Sequence, residues 1–351
     1  MSALPLPGRV VLRIGPVSGA VPVRAIVVGA VALAAALTLA VLSLGRGEFP
    51  IPPSAVLDVL GGEGTRAQRH ILLQLRLPRV LCALLVGAAL AMSGALTQTF
   101  ARNPLASPDV LGVTGGAAAG AVAAIVLGGV SGGMVGVPVA ALIGATISAT
   151  LIYLLAYKRG MNGFRLVLVG LGVGEVLGGL TSWLLVRADL VDVSRATIWL
   201  TGSLAGREWN NVRPLALALV VLAPLAVAAA TALRVLQFGD DTARALGLRL
   251  QTAQLAVVAV AVALAAVAVS AAGPVEFVAF LVPQVALRLC GGSRPPVIVS
   301  AILGALLVVG ADLAARLVIA PRELPVGLLT AMIGAPYLLW LLLGRTRRTT
   351  A

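Results

Sequence analysis

The sequence predicts an all-α membrane protein that crosses the bilayer about ten times. Hydrophobic residues occupy 60% of its 351 positions and charged residues only 11%, whereas soluble domains carry roughly 25% charged residues. The apolar residues are gathered into long segments that short polar segments separate. Since a helix of about 20 apolar residues spans the hydrocarbon core, most of these segments are long enough to cross.

The apolar segments begin with Ile26–Leu44, which no signal-peptide cleavage site follows, and we interpret it as the first helix. Residues 45–75 are polar and rich in glycine and proline, and they predict an external loop with one short helix. The segment at Phe277 is short and is either a separate helix or part of a bent one. The other predicted spans are Val80–Phe100, Val110–Val130, Val135–Ala156, Leu166–Val186, Val212–Leu233, Leu255–Ala272, Phe277–Leu289, Val297–Ile319 and Pro325–Leu343.

The positive charge of the chain indicates how it is oriented in the membrane. The net charge of +13 comes almost entirely from arginine, because Lys158 is the only lysine. In a soluble protein this charge would suggest nucleic acid, but here the arginines lie between apolar segments and orient the helices, so we expect no nucleic-acid partner. Ten spans place both termini on one side, and the basic short loops predict that this side is cytoplasmic. We therefore divide the chain into tails at residues 1–23 and 345–351 and a transmembrane domain at residues 24–344.

Residues suited to catalysis or metal binding are scarce. Cys82 and Cys290 lie in apolar segments, and His70, the only histidine, lies in a polar loop. A phosphate-binding P-loop needs a lysine followed by Ser or Thr, whereas Arg159 follows Lys158. The chain is therefore predicted to have no catalytic, metal or cofactor site, and ATP has to bind to another polypeptide.

One polar segment, residues 236–251, differs from the other loops, and we call it the coupling loop. It is long enough for two short helices, with Gly239 and Gly247 as breaks, and it is either a solvated connector or a docking surface. The docking interpretation points to a cytoplasmic ATPase. The rival class is an ion-coupled secondary transporter, which would need ionisable groups within the membrane; Glu175, Glu276 and Asp312 are candidates.

Several motifs together resemble one transporter family. They are Arg76-Leu-Pro-Arg79, Asn103-Pro-Leu-Ala106, the pattern from Asp241 to Gly247, the segment from Gly273-Pro274 to Pro283, and Glu323-Leu-Pro-Val-Gly followed by Gly334-Ala-Pro. The chain resembles the iron-siderophore and cobalamin permeases of ABC importers over nearly its whole length after the N-terminal tail. The resemblance implies the type II importer permease fold, with ten helices, in the bacterial cytoplasmic (inner) membrane.

The resemblance also implies partners. They are a second permease subunit, two cytoplasmic ATPase subunits that bind ATP and Mg, an extracytoplasmic substrate-binding protein and membrane lipid. Many members have a histidine after the proline that corresponds to Pro283, whereas this chain has Gln284, as in one of the two paralogous subunits of catecholate-siderophore systems. Glu276 and Ala279 replace positions that are often glycine in the cobalamin branch. These departures favour a ferric-siderophore substrate and a heterodimer; cobalamin or haem, and a homodimer, stay open.

Three functional regions can be carried over from the family by position. Two segments match cytoplasmic gates: Asn103, Pro104, Leu105 and Ala106, and then Asn162, Gly163, Phe164 and Arg165. In the coupling loop, the ATPase contact is assigned to Gly239, Asp240, Asp241, Ala243, Arg244, Leu246 and Gly247. Three arginines that match docking positions for the binding protein are Arg76, Arg79 and Arg316.

A fourth region is a polar stripe on the span Leu166–Val186. Residues three, four and seven apart share one helical face, so Gly172, Glu175, Gly179 and Ser182 form one small and polar stripe. A carboxylate in mid-bilayer costs about 2.5–3.5 kcal/mol on insertion scales and should face protein or water. Since the matching helix lines the translocation path in the family, we predict these residues to line it. The alternative is a hydrogen bond from Glu175 to a neighbouring helix.

Overall fold

The computed structural model describes residues 9–14, 17–47, 49–128, 136–158, 163–319 and 322–346. The first described residues form an antiparallel hairpin of strands β1 (Arg9–Ile14) and β2 (Val17–Pro22), with Arg9 opposite Pro22. This hairpin lies in the segment predicted as a tail, and β2 leads directly into the first helix. Everything that follows in the described part of the chain is helix and loop, which confirms the all-α prediction for the membrane domain.

Fourteen helices are numbered here in chain order. They are α1 (Val23–Gly45), α2 (Pro53–Leu60), α3 (Arg66–His70), α4 (Leu77–Ala101), α5 (Val113–Gly128), α6 (Gly136–Ala156), α7 (Gly163–Val186), α8 (Leu190–Leu200), α9 (Trp209–Leu236), α10 (Asp240–Ala245), α11 (Leu250–Ala272), α12 (Val278–Cys290), α13 (Val297–Leu317) and α14 (Val326–Thr346).

The number of spans agrees with the prediction of about ten. Within the described residues, seven helices are long and apolar enough to cross a membrane. Three shorter apolar helices, α5, α12 and α14, accompany them. Because ten successive spans alternate in direction, the loop after α4 and the coupling loop lie on one membrane side, which we call the coupling-loop side. The segment from α2 to α3 and the segment around α8 lie on the opposite side.

The segment between α1 and α4 contains two short helices where one was predicted. The second of them, α3, begins at a capping box: Thr65 Oγ1 accepts a hydrogen bond from Gln68 N at 3.2 Å, and Thr65 N donates to Gln68 Oε1 at 3.0 Å. One π-helical turn, Ile71–Arg76, then joins α3 to α4. Because α3, this turn and α4 form one continuous helical stretch, the non-helical part of residues 45–75 is shorter than the polar composition indicated.

The helix α12 is separate from α11, which resolves the alternative that the sequence left open. Gly273 and Phe277, at the two ends of the turn between them, both have left-handed backbone conformations, with φ of 76° and 63°. An α-helix cannot continue through such residues, so the chain reverses here.

The centre of the bundle is α4, which packs against α9, α11, α12 and α13. Glycines allow this close packing. A Cβ atom at Gly87 would overlap the backbone of Gly304 in α13, and one at Gly94 would overlap the carbonyl oxygen of Ala279 in α12. In lipid, where burying apolar surface gives little driving force, such close backbone contact is a main source of helix association.

A buried pair of amides fills the contact between α4 and α12. Pro283 lies inside α12 and has no N–H, so the Ala279 carbonyl loses its helical partner. Gln98 Nε2 donates to the carbonyl oxygens of Ala279 (3.4 Å) and Phe280 (2.9 Å), and Gln284 Nε2 donates to Gln98 Oε1 at 2.7 Å. Both glutamines are buried, and Gln98 therefore satisfies the carbonyl that the proline leaves open.

We expect Gln98→Leu to destabilise the protein by about 1–3 kcal/mol, because it leaves buried polar groups without partners. Gln284→Leu should cost less, since Gln98 still reaches both carbonyls. The double variant should cost about as much as Gln98→Leu alone, because the two side chains act as one unit. Unfolding of the purified protein in detergent, followed by circular dichroism, measures all three. Strictly additive losses would contradict this assignment.

Candidate functional site

Two of the three arginines predicted to dock a binding protein, Arg79 and Arg316, belong to an ion-pair network on the opposite side. Arg79 donates from Nε and Nη2 to Asp312 Oδ1 at 3.0 and 2.9 Å, and from Nη1 to Glu323 Oε2 at 2.8 Å. Arg316 lies 3.3 Å from the second Asp312 oxygen and also donates to the Ser43 side chain. The side chains of Asp312, Arg79 and Arg316 are only 2%, 13% and 8% exposed. The network therefore joins α1, α4, α13 and the segment before α14.

Arg76 is bonded within the subunit as well. Its Nη1 donates to the Leu44 carbonyl at 2.8 Å and its Nη2 to the Phe49 carbonyl at 2.7 Å. These two bonds fix the end of α1 and the segment after it to the start of α4. Sequence reasoning missed these partners of Arg76, because backbone carbonyls leave no signature in the sequence. Docking by the three arginines stays a prediction.

The first predicted gate, Asn103 to Ala106, is a tight turn at the end of α4. Arg102 leaves the helix with φ of 50°, in the left-handed region. Asn103 Oδ1 then accepts from Leu105 N at 3.0 Å, and Asn103 O accepts from Ala106 N at 3.1 Å. An asparagine side chain that caps the backbone two residues on is a common way to fix such a turn, so the conformation follows directly from the Asn-Pro sequence.

The structure places this turn against the start of α7. Ala106 and Ser107 line a small cavity together with Leu166 and Val167 of α7 and with residues of α11. Its volume of about 10 Å³ is only about that of one water-sized probe. The second predicted gate lies at this same end of α7: Phe164 is 74% exposed and Arg165 Nη1 donates to the Ala156 carbonyl. Gly163 begins the helix, and Asn162 lies outside the described residues.

A hydrogen bond connects the first gate to the coupling loop. Arg102 Nη2 donates to the carbonyl oxygen of Leu236 at 2.9 Å, and Leu236 is the last residue of α9. The residue before the gate is thus bound to the residue at which the coupling loop begins. Sequence reasoning did not single out Arg102, because its partner is a backbone carbonyl distant in the chain.

The coupling loop folds as the short helix α10 between two glycines. Gly239 and Gly247 have positive φ of 98° and 82°, which favour glycine; Gly239 directly precedes α10, and Gly247 follows its end. Ala243 is fully buried, whereas Arg244 Nη1 and Asp241 Oδ1 form an exposed ion pair at 3.3 Å. Asp240 begins α10. Two apolar side chains on the loop face outward, Phe238 at 72% and Leu246 at 66% exposure.

The predicted polar stripe of α7 lies on a face that the subunit itself does not cover. Gly172, Glu175, Gly179 and Ser182 are all exposed, and a Cβ atom at either glycine would meet no atom within 4 Å. Ser182 Oγ donates to the Gly178 carbonyl of its own helix. Glu175 has no hydrogen bond or ion pair with any residue that the structure describes. The predicted alternative, a bond from Glu175 to a neighbouring helix of the same subunit, is not observed there.

The acids that suggested a secondary transporter do not form a chain across the membrane. Asp312 is paired with two arginines near the end of α13. Glu276 is exposed in the turn before α12, and Glu175 stands alone on α7. Within the described residues, no group of three or more metal-binding side chains occurs.

Comparisons with known proteins agree with these features. The model of the FecCD transport family matches residues 33–344. The chain is 37% identical over 316 residues to the ferric enterobactin transport system permease protein FepG of Escherichia coli strain K12, covering 90% of this chain and 95% of that one. It is 40% identical over 319 residues to the achromobactin transport system permease protein CbrC of Dickeya dadantii strain 3937, covering 90% of this chain and 91% of that one.

A solved structure supports the fold independently. The chain superposes on a metal-chelate type ABC transporter in an inward-facing conformation with a TM-score of 0.81 and 27% identity, covering 91% of this chain and 99% of that one. Members of this family are permease subunits of ABC transporters, in which a separate ATPase subunit hydrolyses ATP. The rival class, an ion-coupled secondary transporter, is thereby excluded. With ten apolar helices and a family match over most of its length, the chain belongs to the FecCD transport family of multi-pass membrane permeases.

Proposed function

We propose that this chain carries a ferric-siderophore complex inward across the bacterial cytoplasmic membrane, as one of two permease subunits above a pair of ATPases. The relatives that support the substrate are the enterobactin and achromobactin permeases. Gln284 supports it as well, because the resemblance places a glutamine at this position in one of the two paralogous subunits of catecholate-siderophore systems. A cobalamin or haem cargo, and a homodimer, are the alternatives within the family.

The observation that carries the proposal is the exposed apolar surface of the coupling loop. Phe238 and Leu246 project from a polar segment whose backbone is fixed by the buried Ala243. Exposed apolar side chains outside the membrane, next to polar ones, mark a protein-docking surface. In this family a separate subunit hydrolyses ATP, and we assign its docking to this loop, with both termini cytoplasmic.

The function is tested by uptake into vesicles that contain this permease, its second permease subunit and the ATPase, with the binding protein added outside. The panel consists of a ferric catecholate, a ferric hydroxamate, ferric citrate, cyanocobalamin and haem. We expect uptake of an iron chelate only when ATP is present inside the ATPase-containing vesicles. Uptake of cyanocobalamin or haem alone would contradict the substrate, and uptake driven by an ion gradient without ATP would contradict the mechanism.

Gly247→Trp tests the coupling loop in the same assay. A side chain at φ of 82° strains the backbone, and it displaces Leu246 from the docking surface. We expect uptake to fall about 5- to 100-fold, the usual size of coupling between two sites, and ATP hydrolysis to lose its stimulation, while membrane insertion is kept. Gly206→Trp is the matched control, because Gly206 also has a positive φ and open space around it but lies on the opposite side. Equal effects of the two substitutions on uptake and on ATP hydrolysis would show that the loop is only a connector.

The docking of the binding protein is proposed to use Arg79, whose guanidinium has an exchangeable partner. Asp312 is buried between Arg79 and Arg316, but Glu323 is 42% exposed. An acidic group on the binding protein can therefore replace Glu323 without breaking the buried pair. Guanidinium–carboxylate pairs are directional, which suits an orienting contact. Reversing the charge of Arg79 would not test this idea, because it would also leave Asp312 without its main partner.

Glu323→Gln is the sharper test of docking. Removal of the competing carboxylate should tighten association with the binding protein about two- to five-fold, since exposed ion pairs contribute about 0.2–1 kcal/mol. The gain should shrink at high salt, where exposed charges are screened. Glu63→Gln is the control, as Glu63 is an exposed acid on the same side. Surface plasmon resonance on the reconstituted complex measures both, and an unchanged or weaker affinity for Glu323→Gln would contradict docking through Arg79.

The α7 stripe is proposed to line the translocation path between the two permease subunits. Glu175 lies at the middle of a helix that crosses the membrane, and no described residue of the subunit pairs with it. Because a carboxylate facing lipid in mid-bilayer is costly, this face is best accommodated against the second subunit, where the path also runs.

We expect Glu175→Gln to change the preference among chelates rather than assembly. A carboxylate on the path repels an anionic ferric chelate by about 2 kcal/mol at 8 Å if the effective dielectric constant is about 20. The substitution should therefore raise the uptake of anionic chelates over neutral ones by up to about thirtyfold, the factor that corresponds to this repulsion. Asp189→Asn, which removes an exposed acid just outside α7, is the control. An unchanged ratio in the vesicle assay, with normal ATPase assembly, would contradict a place on the path.

A further inference from the structure

A cavity of about 300 Å³ lies at the coupling-loop side, and no residue of α7 lines it. It is enclosed by the start of α1, the ends of α4 and α9, and the loop between α12 and α13. Its volume is at the lower end of the range for ligand pockets, about 300–1,000 Å³. The residues that line it are Pro22, Ala25, Thr99, Ala230, Leu233, Arg234, Cys290, Gly292, Ser293, Arg294, Pro295, Pro296 and Val297.

The charges around this cavity are all positive. Arg234 and Arg294 line it from two different elements, and no acid is among its described lining residues. Arg294 makes one long hydrogen bond, to Gln237 Oε1 at 3.5 Å, and Arg234 makes no ion pair with a described residue. Burial lowers the pKa of Arg294, and the charge of Arg234 lowers it further. Two guanidinium groups thus line one cavity, and none of its described lining residues is an acid, so the cavity attracts an anion.

Two further features of the cavity favour a phosphate group. Ser293 supplies a hydroxyl, and the cavity reaches the start of α13 at Pro296 and Val297. The N-terminus of a helix favours an anion, because its free N–H groups carry partial positive charge. Arginine side chains bind phosphate oxygens with two parallel hydrogen bonds.

The surroundings of the cavity are those of a lipid-facing surface. Val23 and Ile26 at the start of α1 and Ile298 at the start of α13 are exposed apolar residues. They flank lining residues of the same two helices. The cavity therefore lies where three spans, α1, α9 and α13, end at the membrane boundary, next to side chains suited to acyl chains. Basic pockets between helices at this depth are typical binding sites for anionic headgroups.

We propose that the cavity binds the phosphate of an anionic phospholipid headgroup, with Arg234 and Arg294 on the phosphate oxygens and the apolar ends of α1 and α13 against the acyl chains. The bound lipid fills the gap between α1, α9 and α13 and neutralises the two arginines. The lipid thereby also supports the end of α9, from which the coupling loop starts.

The test measures lipid retention by native mass spectrometry of the detergent-purified complex, after addition of phosphatidylglycerol or phosphatidylcholine. The wild type should retain phosphatidylglycerol, and the variant Arg234→Gln with Arg294→Gln should retain about tenfold less, which corresponds to about 1.4 kcal/mol. Phosphatidylcholine should bind weakly to both. The control Lys158→Gln with Arg249→Gln removes the same charge from exposed positions on the same side and should retain lipid as the wild type does.

Three results would overturn the proposal. One is equal retention of phosphatidylglycerol by the double variant and the wild type. Another is complete displacement of the lipid by an excess of inorganic phosphate, which would make free phosphate the ligand. The third is loss of lipid retention when the ATPase subunits are present but not when they are removed, which would assign the arginines to a protein partner. Retention that survives phosphate and the presence of the ATPase supports the headgroup site.

Discussion

The close contact of α4 with its neighbours is the constraint on which the rest of the subunit depends. In a bilayer the lipid tails are as apolar as leucine, so helices gain little from burying side chains and associate through backbone proximity and hydrogen bonds. Gly87 and Gly94 bring α4 against α13 and α12 at distances that a Cβ atom would prevent. Once α4 is placed, its two ends position the other features: the arginine network at its start and the first gate turn at its end.

The ends of α4 also show how the subunit handles charge. At the start of the helix, Arg79 and Arg316 share the buried Asp312, so the charges compensate each other within the protein. At the other end, Arg102 binds a backbone carbonyl of α9, and Arg234 and Arg294 face a cavity with no acid among its described lining residues. The first group of charges is therefore compensated by other described residues of the subunit, whereas the last group suits the anionic headgroup proposed above.

The sequence was sufficient for the spans, because apolar length and proline or glycine breaks are local properties. The turn that begins at Asn103 is local as well, since Asn103 caps its own backbone, whereas its role as a gate stays a prediction. The sequence was insufficient for contacts between distant residues. Asp312 and Arg316 are four residues apart and could have been paired from the sequence. Arg79, in contrast, is far along the chain from both of its partners, Asp312 and Glu323. The hydrogen bond between Gln98 and the Ala279 carbonyl could not be predicted from the sequence either. The sequence indicates only that Pro283 leaves a carbonyl of its helix without a partner.

The uneven burial of the helices explains why one subunit does not suffice for transport. In the most apolar part of the α3–α4 span, 78% of the residues are buried within the subunit, whereas in that of α7 only 11% are. Both helical stretches are long enough to cross the membrane. The exposed face of α7 carries glycines without neighbours and the carboxylate of Glu175, and such a face suits close contact with another protein surface better than contact with lipid. The same helix begins beside the first gate turn, with which it lines a small cavity. A movement of α7 against a second subunit would therefore be transmitted directly to that turn, and through Arg102 to the coupling loop.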